Sequence, residues 1–220
     1  MRYDEWACHG CVAAWLVLGA AGCASTGEAL KSGPATTASA ADAPAAVTLA
    51  APPNPAVQQA FDNASGALRA GRTDEAERGF RALVQSNPEL GGPHANLGAM
   101  QRQAGKLPEA VAELEAAVRL NPAQPVYLNQ LGVAYRQLGQ FDKARQAYDK
   151  AIALDPGYAA PVLNLGILYD LYLGDDKRAM DLYAHYLALS PSGDPAVTKW
   201  VAELKNRKPA PITLSRKGDA

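Results

Sequence analysis

Residues 123–156 read AQPVYLNQLGVAYRQLGQFDKARQAYDKAIALDP, and the same pattern returns before and after them at a step of about 34 residues. Leu-Gly stands at Leu97-Gly98, Leu131-Gly132 and Leu165-Gly166. Each copy then has a glycine (Gly71, Gly105, Gly139, Gly174), an alanine (Ala76, Ala110, Ala144, Ala179) and a closing proline (Pro88, Pro122, Pro156, Pro191). The chain therefore holds four copies of one unit.

The period inside the unit is helical. Leu128, Leu131, Tyr135 and Leu138 fall at spacings of three and four, which line one face of a helix. Phe141, Ala144, Tyr148, Ala151 and Ile152 do the same after Gly139, so the unit is helix, turn, helix. Gly132 and Ala144 are small where two antiparallel helices must cross closely, and the large residues interlock around that crossing.

Leu128, Leu131-Gly132, Tyr135, Ala144, Tyr148, Ala151 and Pro156 resemble the pattern of the tetratricopeptide repeat (TPR) family, and the resemblance runs from Pro55 to about Pro191. It implies an all-α fold, a right-handed α-solenoid of four helix-turn-helix repeats plus a C-terminal capping helix. The expected repeats are 55–88, 89–122, 123–156 and 157–191, within a domain spanning 55–193.

The 220 residues carry 21 basic and 22 acidic side chains, a near-neutral balance that argues against nucleic-acid binding. All three cysteines, Cys8, Cys11 and Cys23, precede the repeats, so the domain contains no disulfide framework or cysteine metal site. Cys8-His9-Gly10-Cys11 has the wrong order for haem attachment and lacks further ligands for zinc. No HExxH, GxxxxGK[ST] or GxSxG motif occurs, and no cofactor, metal or small-molecule substrate is expected. Glu113 with Glu115, and Asp175 with Asp176, read as solvated surface rather than as catalytic pairs.

Residues 1–23 read as a secretory signal: 12–21, VAAWLVLGAA, is an uncharged apolar run of the length of a signal core and shorter than a membrane span. Ala20-Ala21-Gly22-Cys23 resembles the bacterial lipobox, which implies lipidation of Cys23. Residues 24–54, rich in Ala, Thr and Pro, read as a disordered linker with an r.m.s. span of roughly 30 Å. Ala24 stands where inner-membrane retention would favour Asp, so the resemblance points to a periplasm-facing, lipid-anchored protein of the outer membrane in a Gram-negative bacterium.

The copies differ at the ends of the array. Repeat one has Asn63 in the Leu slot, as a terminal repeat with one neighbour permits. His94 of repeat two fills a bulky slot and reads as a packing residue. Repeat four has one extra residue near Leu173-Gly174-Asp175, placed most easily in the interhelical turn, and Tyr186 where the second small alanine belongs. Asp194-Pro195 opens a capping helix, expected over 194–208, with Val197, Trp200, Val201 and Leu204 as its apolar stripe. Residues 209–220 read as a basic, disordered tail.

Stacked helix pairs leave a groove lined mainly by the first helix of each unit. In peptide-binding members of the family an Asn just before Leu-Gly can bond a ligand backbone, which the resemblance places on Asn96, Gln130 and Asn164, with Asn129 beside them. A carboxamide suits this because it offers both donor and acceptor. Arg102 and Arg136 occupy equivalent positions one turn further on, as do Gln103 and Gln137, and two guanidiniums favour a carboxylate on the ligand. Leu163 and Ile167 add apolar lining. Repeat four has no basic residue at the matching slots, so the family's dicarboxylate clamp is not expected.

The resemblance implies a non-enzymatic adaptor that binds a protein or peptide partner in the cell envelope. Its layout is similar to pilus-assembly lipoproteins of type IV and tight-adherence systems. It is also similar to repeat lipoproteins that recruit cell-wall hydrolases, and a soluble co-chaperone follows if the start is misassigned.

Overall fold

Asn54 and Pro55 open the first helix as their chemistry requires: Asn54 Oδ1 accepts the Ala56 amide at 3.0 Å, and the proline occupies the first turn, where no backbone donor is needed. The computed structural model describes residues 54–207. The expected leader with Cys23, all of the linker but Asn54, and the basic tail lie outside these residues.

The described residues are all-helical, with no strand among them. The repeats are the antiparallel pairs α1 (Pro55–Arg69) with α2 (Thr73–Ser86), α3 (Gly91–Gln103) with α4 (Leu107–Leu120), α5 (Pro125–Gln137) with α6 (Phe141–Leu154), and α7 (Ala159–Leu168) with α8 (Asp176–Leu189). Each second helix packs on the next first helix, α3 also touches α5, and α5 touches α7. This is an α-solenoid, closed by α9 (Pro195–Asn206) against α8.

The turns explain the repeating glycine. Gly71, Gly105 and Gly139 hold φ of 73°, 75° and 74°, the left-handed conformation that glycine adopts without a Cβ penalty. The amide after each glycine then reaches back five residues, Arg72 to Ala67, Lys106 to Gln101 and Gln140 to Tyr135, at 2.9 Å each.

Repeat four departs from this, and the expectation of a longer turn is corrected. The extra residue is absorbed inside the first helix as a π-helical segment, Tyr169–Leu173, which continues α7. Gly174 still holds φ 67°, but the Asp175 amide now reaches back six residues, to the Tyr169 carbonyl at 3.0 Å. Widening the last helical turn keeps the capping bonds, which an insertion in the tight glycine turn would have broken.

The close crossing is built differently from the small-against-small contact suggested by Gly132 and Ala144. A Cβ on Gly132 would lie 2.5 Å from Tyr148 Cε1, one on Gly166 2.7 Å from Tyr183 Cε1, and one on Gly98 2.8 Å from Leu114 Cγ. In three repeats, then, a large side chain of the second helix fills the space of an absent Cβ on the first. Repeat one inverts the device. Ala64 takes the first-helix slot, and the partner helix gives way at Gly79, whose Cβ would lie 2.8 Å from that of Ala64. Phe80, next to Gly79, is fully buried edge-on against Phe61 at 5.7 Å, while Asn63 stays exposed.

At the other end Val197 and Leu204 of α9 are buried, with Trp200 and Val201 half-buried against the same core. Trp200 lies 5.8 Å from the Tyr183 ring. Tyr186 has a use for its size: its hydroxyl donates to Asp194 at 3.1 Å, and Asp194 caps α9 through the Ala196 and Val197 amides. Arg207 ends α9 with bonds to Asp170 and Asp176, each at 2.8 Å.

The acidic pairs are not simple solvated surface. Glu115 accepts from the Tyr135 hydroxyl, and Asp175 caps α8 by accepting the Arg178 amide at 3.0 Å. Glu113 Oε2 lies 2.6 Å from His94 Nδ1, while His94 Nε2 lies 3.1 Å from the Pro88 carbonyl. Both partners only accept, so both ring nitrogens donate and the imidazolium fits this site. The Glu113 bond is the main cause that raises the His94 pKa above 6.5, against burial, which lowers it.

A raised folded pKa means that the stabilisation is fully present below about pH 6.5 and is lost as pH rises through the folded value. Thermal unfolding should therefore show wild type losing stability between pH 6 and pH 9 relative to His94→Gln; parallel pH profiles would contradict the ion pair. The glycine contacts give a paired expectation. Gly132→Ala should destabilise by about 1–3 kcal/mol through overpacking on Tyr148. Gly66→Ala, in α1 with nothing within 4 Å of its Cβ position, should stabilise by about 0.5–1 kcal/mol. Chemical denaturation of the two variants checks both signs.

Candidate protein-binding surface

Because α3, α5 and α7 follow one another along the solenoid, equivalent side chains on them share one wall. Most of the expected groove residues are on this wall, and the carboxamides are more engaged than the sequence suggests. Asn129 and Asn164 are brought together: Asn164 Nδ2 donates to Asn129 Oδ1 at 3.0 Å across one repeat, and Asn129 Nδ2 lies 3.4 Å from the Tyr158 hydroxyl. Both are buried, at 4% and 7% exposure. Asn96 is separate from them, 2% exposed, and donates to the Gly92 carbonyl at 2.9 Å inside its own helix.

These bonds use one of the two N–H donors of Asn96 and of Asn164 and leave each Oδ1 without a bond among the described residues. Each of these carboxamides therefore keeps its acceptor and one N–H donor, in a side chain that is almost wholly buried. Gln130 is half-buried beside them, and Gln103 and Gln137 are exposed at the helix ends. Leu163 is buried in the largest apolar cluster, and Ile167 packs against that cluster with part of its surface open.

The charged row one turn further on is the feature that sequence reasoning described least well. Arg102 and Arg136 are half-buried, and the equivalent residue of repeat four is Asp170, 8% exposed. Asp170 is held by Arg207 at 2.8 Å and by the Tyr183 hydroxyl at 3.2 Å, so its charge is met within the capping end of the domain. Arg136 lies 5.8 Å from the centre of the exposed Tyr172 ring, which stacks on Phe141 at 4.9 Å. Behind it the Tyr148 hydroxyl is sealed from solvent without a hydrogen-bond partner, and burial pushes its pKa up to about 12 against the opposing pull of Arg136 and Arg102. The π-helical segment also sets Leu171, Tyr172 and Leu173 outward at 40%, 44% and 40% exposure. Only the presence of an insertion was readable in the sequence, not that it would turn three consecutive large side chains toward solvent.

Among the described residues no group of His, Cys, Asp and Glu is placed to hold a metal ion, and no helix is long and apolar enough to cross a membrane.

A family profile described as "Tetratricopeptide repeat" matches residues 125–158, and one described as "TPR repeat" matches residues 98–139. No curated protein matches the chain. Among solved structures it is similar to the MamA protein, with a TM-score of 0.61 at 21% identity over 68% of this chain and 81% of that one. It is also similar to a thermophilic TPR protein of Thermus thermophilus, with a TM-score of 0.57 at 25% identity over 69% of this chain and 82% of that one. A third likeness, to Pseudomonas aeruginosa pilF, has a TM-score of 0.62 at 22% identity over 69% of this chain and 68% of that one. Proteins built of such repeats generally mediate protein–protein interaction and are typically scaffolds rather than catalysts. Tetratricopeptide repeats are therefore found by family model over residues 98–158, across the second and third helix pairs.

Proposed function

We propose that this chain is a non-enzymatic adaptor that holds an extended segment or a helix of another protein along the wall formed by α3, α5 and α7. The observation that carries this reading is the alignment of the three first helices, which the Asn164–Asn129 bond at 3.0 Å ties across a repeat boundary. Along that wall Asn96 and Asn164 keep acceptor oxygens, and Gln103 and Gln137 stay exposed. Such a row suits the amide donors of a bound segment.

In the same reading the adaptor is tethered by lipid on Cys23, with residues 24–54 as the spacer, and faces the periplasm from the outer membrane. What supports the tether is the apolar run ending in Ala20-Ala21-Gly22-Cys23, followed by a stretch poor in large apolar groups. The joint layout of leader, spacer and repeats is the reason for placing the protein in the assembly of a pilus or secretion machine.

Photo-crosslinking in the native host tests the wall. A benzophenone amino acid at Gln103 or Gln137 should capture a protein partner, whereas one at Lys150, exposed on α6, should not. Equal capture from Lys150 would move the binding surface elsewhere. Combining Asn96→Ala, Gln130→Ala and Asn164→Ala should abolish capture while helical circular dichroism persists. For the tether, labelled palmitate should enter the protein and Cys23→Ala should release it from membranes. A soluble, unlabelled wild type would sink the lipid anchor.

A further inference from the structure

Arg136 differs from the cations that form ion pairs among the described residues. Arg72, Arg81, Arg145, Arg178, Lys199 and Arg207 each meet a carboxylate. Arg136 is half-buried, yet among the described residues it meets only the aromatic side chains of Tyr148 and Tyr172. Its Nε and the Tyr148 hydroxyl are both sealed from solvent without a hydrogen-bond partner, and the phenol oxygens of Tyr148 and Tyr172 are neutral, so neither cancels the charge. Partial burial of a cation without a counter-charge is unfavourable, so a carboxylate brought to it by a partner is favoured. Asp170, the carboxylate at the equivalent slot of the next repeat, is occupied by Arg207 and Tyr183.

A second observation adjoins the first and is independent of it. Large apolar side chains stand exposed in succession at Leu171, Tyr172 and Leu173, in the one segment where the helical repeat is broken. The rest of the described surface has one other such residue, Leu154. Phe141 supports the Tyr172 ring from behind, and Arg136 lies over it, so the cation and the apolar surface form one patch. A contiguous apolar surface held in place by packing marks a binding region.

We propose that Arg136 and the π-helical residues Leu171, Tyr172 and Leu173 form a docking site for a protein segment that carries a carboxylate beside large apolar side chains. Arg136 takes the carboxylate end-on through its terminal nitrogens, and Tyr172 with the two leucines takes the apolar groups. Charge complementarity selects this occupant. The patch has one uncancelled cation and no free anion of its own, since Asp170 and Asp176 are both bound to Arg207. The site rests on the adaptor reading and gives it a ligand chemistry. It lies where repeat four departs from the other copies, so it belongs to this chain rather than to the repeat in general.

Panning a random dodecapeptide phage library on the full chain tests this, with the selected peptides then measured as fluorescein conjugates by anisotropy. Selection should enrich Asp or Glu, or a C-terminal carboxylate, next to Leu, Phe or Trp. Affinity should fall about tenfold or more with Arg136→Gln, and fall again with Leu171→Ser or Tyr172→Ser, exposed positions where folding is preserved. Added salt should weaken binding to wild type but not to Arg136→Gln, and Arg119→Gln on α4 should change nothing. Peptides without an acid, or insensitive to Arg136→Gln and Leu171→Ser, overturn the site. If those peptides are still lost with the triple carboxamide variant, the adaptor reading stands without this site. Failure to enrich any peptide counts against both.

Discussion

The contact between an absent Cβ on the first helix of a repeat and a large side chain on the second sets the geometry of the domain. Gly98 with Leu114, Gly132 with Tyr148 and Gly166 with Tyr183 let the paired helices approach to within one side chain's thickness. That approach fixes how each second helix is presented to the next repeat, and the error of any one pair is passed along the stack. Repeat one reaches the same approach with the roles exchanged, through Ala64 and Gly79. What recurs is a glycine at the crossing, not which helix carries it.

The features legible in the sequence are those set by neighbours three, four or 34 residues away. Periodicity gave the helices, the positive-φ glycines gave the turns, and Asn54-Pro55 and Asp194-Pro195 gave two helix starts. Other features depend on contacts that no local spacing encodes. Glu113 meets His94 nineteen residues away, Glu115 meets Tyr135 across a repeat boundary, and Asn129 meets Asn164 thirty-five residues away. Each polar group looked free along the chain and found its partner only when helices were packed, within one unit for Glu113 and His94 and between units for the other two pairs. The insertion in repeat four was visible, but its place was decided by energetics outside the sequence pattern. A widened helical turn preserves the capping amide bonds, while a longer glycine turn does not.

Charge follows the same logic across the surface. Most ion pairs are exposed and close within one helix or its cap, and these contribute little to stability. Arg207 is different, because it joins the end of α9 to Asp170 on the π-helical segment and Asp176 on α8. The capping helix is therefore fastened by packing through Val197 and Leu204 and by charge at its last turn.

The π-helical segment also shows where the repeat tolerates an extra residue. Because the widened turn lies after Gly166, the crossing with Tyr183 is kept, and α8 meets α7 as the second helices of repeats two and three meet theirs. The element that follows repeat four is α9, whose fit is made by Tyr186, Asp194 and Arg207. The extra residue thus acts as an expansion joint: it lengthens one helix without moving the contact on which the stack depends.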